Sequence, residues 1–126
     1  MNIVICGSRN FNNYEYFSKS LDEIFASFIN DEISIITGHC KGVDMMAERY
    51  AAEHNINLIL CPASWEIYGR AAGPVRNKEM AEMCNMVIAF WDGSSRGTFS
   101  MINLATKLGR EVVVKNFLTD QILYDC

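Results

Sequence analysis

Arg9, Lys41, Arg70, Arg76 and Arg96 are the side chains best placed to do chemistry in this sequence. They are five of its 11 basic residues, and each stands in or beside a glycine-bearing segment. Those segments hold Gly7, Gly38, Gly42, Gly69, Gly73 and Gly93, six of the eight glycines, with Gly97 directly after Arg96. Cationic side chains next to glycines, where backbone N–H groups can come close, suit a phosphate or another small anion. The strongest local candidate runs from Gly93 to Thr98. There Gly97 would let a phosphate approach the backbone and Thr98 adds a hydroxyl donor, although Thr98 serves equally well as a helix cap. Neither G-x-G-x-x-G nor G-x-x-x-x-G-K-[ST] occurs, which disfavours a conventional NAD dehydrogenase or a P-loop NTPase.

Other residues widen the chemistry. Asp44 and Glu48 are four apart and share one helix face near its start. Asp44 could bond ribose hydroxyls or act as a base, or simply be an acid favoured by the helix dipole. Trp65 and Tyr68 could stack on a nucleobase, worth about 1–3 kcal/mol per base, or pin a long loop to the body. His39 stands in a glycine-rich loop where it could meet an anion, whereas His54 reads as surface. The five cysteines, Cys6, Cys40, Cys61, Cys84 and Cys126, show no C-x-x-C and no zinc spacing, so neither a disulfide framework nor a metal site is expected. Cys6, Cys61 and Cys84 read as small core residues; Cys40, in a loop, is the one whose setting allows reactivity.

The elements that position these residues alternate along the chain. Residues 2–6 form a short apolar run, followed by a helical stripe of Phe17, Leu21, Ile24, Phe25 and Phe28 that Asn12 or Asn13 can cap. Ile33–Thr37 is a second strand, with Val43, Ala47, Tyr50 and Ala51 marking the next helix. Ile56–Cys61 is the third strand. Pro62 to Pro74 reads as a long loop, and Pro74 suits the first turn of a helix through Asn77, Met80, Ala81 and Cys84. Met86–Trp91 is the fourth strand. Thr98, Met101, Ile102, Ala105 and Leu108 form a helix that Gly109 stops, and Glu111–Lys115 is the fifth strand. Residues 117–126 are unassigned, with a last short helix as one option. Near-continuously apolar strands separated by helices predict an α/β fold: a parallel sheet covered on both faces and doubly wound. Ligands of such folds bind beyond the carboxyl ends of the strands, where the charged and glycine-rich segments all fall.

Composition sets the limits. The chain has 126 residues, 50% of them apolar and 21% charged, with a net charge of −4. That size suits one domain, 1–126, burying roughly 65% of the surface its unfolded chain exposes. The acidic balance argues against a general nucleic-acid coat or a basic membrane-surface protein. The longest apolar run, Met86–Trp91, is six residues, far below the ~20 of a membrane helix. The N-terminus shows no secretory leader, so a cytoplasmic protein is expected.

The motifs together resemble a family. Gly7-Ser8-Arg9 with Phe11, Thr37-Gly38 through Lys41-Gly42 to Asp44, and Ala47-Glu48 with Tyr50-Ala51 are similar to the YspA-like, YpsA-related branch of the SLOG superfamily. Pro62-Ala63 with Trp65, Tyr68-Gly69, Ala71-Ala72-Gly73-Pro74, Arg76-Asn77 and Met80 extend the match. So do Phe90-Trp91-Asp92-Gly93, Ser95-Arg96-Gly97-Thr98 and Met101-Ile102. The resemblance covers residues 3 to about 115. It implies a Rossmann-like three-layer sandwich with a five-stranded parallel sheet in the order 3-2-1-4-5, frequent homo-oligomers, and ligands that are nucleotides or nucleotide-derived molecules such as ADP-ribose derivatives. Some relatives, the Lonely Guy enzymes, hydrolyse the N-glycosidic bond of nucleoside 5'-monophosphates.

This sequence departs from those hydrolases at one informative place. Arg76 to Met80 looks like their Arg-x-x-x-Met segment and Gly97-Thr98 like their Gly-Thr motif, but the acid they carry three residues beyond that Thr is Met101 here. N-glycoside cleavage needs a carboxylate to stabilise an oxocarbenium-like transition state or to activate water. Position 39 is His where the branch usually has Gly, Ser64 stands where Asp is common, and Arg70 replaces a usual Lys. From residues and resemblance together, the expected ligand site comprises Gly7, Ser8, Arg9, Gly38, His39, Lys41, Gly42, Asp44, Trp65, Tyr68, Arg76, Asn77, Gly93, Ser95, Arg96, Gly97 and Thr98. The expected function is binding of a nucleotide-derived small molecule, such as an ADP-ribose-like or cyclic nucleotide signal, by a sensor or sequestering protein. The alternative is an N-glycosidase or phosphoribohydrolase drawing on Arg76, Asp44, Glu48 or Asp92. No cofactor and no membrane or nucleic-acid partner is expected; a second copy of the chain is.

Overall fold

Apolar runs too short for helices become the strands, and the helical stripes between them become their covers. The computed structural model describes residues 1–28, 31–117 and 121–125, the last five by their backbone alone. In chain order the elements are β1 (Asn2–Gly7), α1 (Tyr14–Phe25), β2 (Ser34–Thr37), α2 (Val43–Glu53), β3 (Asn57–Leu60), α3 (Trp65–Tyr68), α4 (Ala72–Met83), β4 (Met86–Trp91), α5 (Arg96–Lys107), β5 (Glu111–Asn116) and β6 (Gln121–Asp125). Five parallel strands lie in the order β3-β2-β1-β4-β5, the Rossmann-like arrangement that the family resemblance implies.

The period of two along β1 divides the core. Ile3 and Ile5 face Phe17 and Leu21 of α1 and Val43 and Ala47 of α2. Val4 and Cys6 face the other way, toward Met80 and Ala81 of α4 and Met101 and Ala105 of α5. Helix ends follow their sequence signals. Asn13 Oδ1 accepts from Tyr16 N at 3.1 Å to cap α1. Gly109, at φ +74°, closes α5, with Arg110 N donating to Ala105 O and Gly109 N to Thr106 O.

Four expectations change. The stretch from Pro62 to Pro74 is not one loop: Trp65–Tyr68 makes a helical turn and Gly69–Ala71 a 3₁₀ turn that runs into α4. The first helix stops at Phe25, and Phe28 belongs to a following 3₁₀ turn. The third strand is shorter than Ile56–Cys61 and lies at the sheet edge, so it is only half covered, with Leu60 46% exposed. The C-terminal segment holds no helix among its described residues. Gln121–Asp125 pairs antiparallel with β5, with a bulge between Val114 and Lys115, as a sixth strand outside the parallel set. Residues 118–120 and 126 lie outside the described residues.

The carboxyl end of β1 is tightly packed. A Cβ on Gly7 would stand 2.3 Å from Phe90 O and 2.6 Å from Val43 Cγ2. Backbone on one side and a buried β-branched side chain on the other leave no room to yield. Gly7→Ala is therefore expected to cost about 1–3 kcal/mol, as overpacking does, measured by chemical denaturation. Unaltered stability would contradict this close approach.

Candidate ligand-binding site

Above the carboxyl ends of β1 and β4 lies a cleft of about 280 Å3, closed by the amino-terminal parts of α4 and α5. Its cationic walls are Arg9, Arg76 and Arg96. Gly7, Asp44, Asn77, Ser95, Gly97 and Thr98 complete the part of the lining that the sequence anticipates. Cys6, Cys40, Met80 and Met101 line it as well. Cys6 is buried in the core as its sequence reads, and its place directly before Gly7 at the strand end also sets it against the cleft.

Arg76 organises one wall. Its Nη1 donates to Gly38 O at the tip of β2 at 2.9 Å, and its Nε donates to Asn77 Oδ1 at 3.0 Å. Long contacts of 3.8 and 3.9 Å reach Cys40 Sγ. Asn77 in turn donates from Nδ2 to Gly97 O at 3.3 Å, tying α4 to the first turn of α5. Gly38 must be glycine in this arrangement, since a Cβ there would lie 2.2 Å from Arg76 Nη1.

Asp44, in the first turn of α2, is buried beside this guanidinium, and its Oδ2 accepts from Cys40 N at 3.2 Å. Burial pushes its carboxyl up to about 6, against the backbone hydrogen bond from Cys40 and the charge of Arg76, which pull it down. A carboxylate poised near neutrality in a cleft is suited to proton transfer or to holding hydroxyl groups. Burial also pushes the Cys6 thiol far up, leaving it neutral.

The opposite wall is fixed by a ring of hydrogen bonds. Asp92 N donates to Ser8 Oγ, Ser8 and Ser95 share a hydroxyl–hydroxyl bond of 3.0 Å, and Ser95 Oγ donates to Asp92 Oδ1. Because Ser95 spends its proton on Asp92, Ser8 must be the donor between the two serines. The same Asp92 oxygen accepts from Ser94 N and Ser95 N. Partial burial raises the Asp92 carboxyl, but these hydrogen bonds outweigh it and hold the group below its usual range. The carboxylate thus serves the loop and does not line the cleft. No side chain caps α5, so the N–H groups of Arg96, Gly97 and Thr98 open its positive end toward the cleft. Nothing lies within 4 Å of a Cβ built on Gly97.

Several expected residues stand elsewhere. His39, at φ +59°, is exposed and its Nδ1 lies 2.7 Å from Glu48 Oε2, so Glu48 faces the histidine and does not line the cleft. Lys41 is exposed, Gly42 starts α2 at φ +79°, and Gly93 bends the loop after β4 at φ +87°. Trp65 and Tyr68 are 56% and 46% exposed and outside the cleft; the Trp65 ring leans on α4 at Gly73. Among the described residues no three His, Cys, Asp or Glu side chains gather to hold a metal. No helix among them is long and apolar enough to cross a membrane.

Fold and cleft define a Rossmann-like protein with a cationic site at the carboxyl edge of its sheet. Residues 1–68, just over half of the chain, match the YAcAr family, described as the YspA, cpYpsA-related SLOG family, and the chain belongs to it. Gene 61 protein of Mycobacterium phage D29 is 33% identical over 85 residues, 63% of this chain and 68% of that protein. The X-ray structure of DNA processing protein A (DprA) from Streptococcus pneumoniae aligns with 91% of this chain at a TM-score of 0.71 and 21% identity, a likeness of fold; the chain spans half of that one.

Asp44 makes stability depend on pH. Its folded value lies above the ordinary 3.8, so the native state binds the extra proton between about 4 and 6. The associated stabilisation is complete below about 4 and is lost as pH rises through about 6, amounting to about 3 kcal/mol. Asp44→Asn is expected to flatten that fall in denaturation midpoints measured between pH 4 and 7.5. An identical slope in both proteins would show that Asp44 is not the responsible group.

Proposed function

We propose that this protein captures a nucleotide or nucleotide-derived small molecule by its phosphate, as a sensor or sequestering protein. The observation that carries this reading is the uncapped start of α5, opening into a cleft that also holds Arg9, Arg76 and Arg96. Asp44, buried on the far side, is placed to accept hydrogen bonds from hydroxyl groups of a sugar. The family supports a nucleotide-derived ligand. The acidic chain argues against a nucleic-acid duplex, whatever the name of the fold neighbour says of that protein.

A second reading, N-glycoside hydrolysis, rests on Asp44 alone. Met101 lines the cleft in the place where the related hydrolases carry an acid, and Glu48 and Asp92 do not line it. Asp44 could serve as general base at neutral pH. The wild-type protein is nonetheless expected to release little free base from nucleoside monophosphates during long incubation, read by chromatography. Multiple turnovers, reduced 10²–10⁴-fold by Asp44→Asn, would establish the enzyme in place of the binder.

The binding reading is tested by thermal shift with nucleoside mono- and diphosphates, cyclic nucleotides and ADP-ribose, with free ribose as control. Phosphorylated ligands are expected to raise the melting temperature and ribose to leave it unmoved. Arg96→Ala should weaken a responding ligand by about 1.5–3 kcal/mol in calorimetry, the scale of a hydrogen bond to a charged group. Gly97→Ala separates binding from folding. Alanine fits that open helical position, so melting without ligand holds or rises while affinity falls. Full affinity in both variants would move the phosphate away from α5.

A further inference from the structure

A second groove, of about 450 Å3, opens on the α1–α2 side of the sheet, and one residue, Arg9, lines both it and the cleft. The segment from Arg9 to Asn12 forms the ridge between them. It is anchored at Phe11, whose N donates to Ser8 O and whose buried ring packs 4.4 Å from Phe117 and 6.0 Å from Phe90, centroid to centroid. Fixing Phe11 leaves Arg9, Asn10 and Asn12 exposed around it, with no hydrogen-bond partner among the described residues.

The floor of the groove differs in character from the cleft. Met45, 47% exposed, and Met46 supply a soft apolar surface. Beside them the Arg49 guanidinium lies over the Tyr14 ring, 3.8 Å from its centroid, and Arg49 and the Tyr14 hydroxyl both bond Glu53. Thioethers and a guanidinium held in place offer a planar heterocycle a surface to lie on, and side-chain amides such as those of Asn10 and Asn12 can read its polar edge. The cleft falls just under the usual 300–1,000 Å3 of small-molecule sites and the groove within it, each of a size for one ring system and its sugar.

We infer that the ligand has two units joined by a phosphodiester or pyrophosphate. One unit occupies the cleft, the linking phosphates run from the start of α5 to Arg9, and a second ring system lies in the groove on Met45, Met46 and Arg49. This deepens the reading of a nucleotide-derived ligand and rests on it.

The test compares, by calorimetry, AMP, GMP, CMP and UMP with the symmetrical dinucleoside pyrophosphates built from each. At least one two-unit compound is expected to bind tenfold or more tightly than its monophosphate. Met45→Glu, an exposed site where folding should be undisturbed, and Arg49→Gln should each remove most of that gain while changing monophosphate affinity less than twofold. A melting curve checks each variant's fold. Monophosphates binding as tightly as the two-unit compounds, or a gain untouched by both variants, would overturn the two-unit inference and leave the nucleotide reading standing. If no compound of either kind bound, both would fail.

Discussion

The reach of Arg76 from α4 to the carbonyl of Gly38 is the constraint on which the site depends. It binds the tip of β2 to the helix layer on the other side of β1, and it does so beside a buried carboxylate. The contact exists only because residue 38 has no side chain: a methyl group there would occupy the space of the guanidinium. Once Arg76 is held, Asn77 is positioned to bond the carbonyl of Gly97, and the start of α5 is fixed relative to Asp44. The segments that follow β2 and β4 are thereby joined by two consecutive residues of one helix. A buried carboxylate near a cation is a poor source of net stability, because desolvation offsets much of the attraction. Its presence here fits a functional site better than a structural one.

The wall across the cleft uses a different economy. Asp92 satisfies the amides that precede α5 and closes a ring with Ser8 and Ser95, while the helix's own first N–H groups are left uncapped. The loop is therefore ordered without using up the positive end of the helix. Preorganised donors of this kind cost little further ordering when a ligand arrives, which favours affinity. The cysteine and methionine side chains in the lining add apolar contact without competing for that anion.

The parallel sheet was legible because short apolar runs alternate with helical stripes, and because caps such as Asn13 and Gly109 mark helix ends locally; its strand order came only from the family resemblance. The cationic wall was legible too, since Arg9, Arg76, Arg96 and Gly97 all follow strand ends. Tertiary facts escaped the pattern. A histidine and a glutamate nine residues apart meet where the loop turns at positive φ at His39, and Glu48 faces that histidine rather than the cleft. Trp65 and Tyr68 looked like stacking residues because a loop was expected where a helical turn leads into α4. The edge position of β3 leaves Leu60 exposed although its sequence reads as buried. The antiparallel β6 carries no signal distinct from a short amphipathic helix, since five residues are too few to fix a period. Asn12 read only as a possible helix cap, and Asn10, Met45 and Arg49 drew no notice in the sequence, because the groove they share is formed by two helices meeting a loop.

The central claim is that the cleft retains a phosphate-bearing small molecule without transforming it. Native mass spectrometry of the protein purified gently from cells tests it most directly. The account predicts a population heavier than the bare chain by the mass of a phosphorylated compound, lost after Arg96→Ala and recovered chemically intact when the wild-type protein is denatured. A compound recovered as free base and sugar phosphate, or a bound species that carries no phosphate, would contradict it.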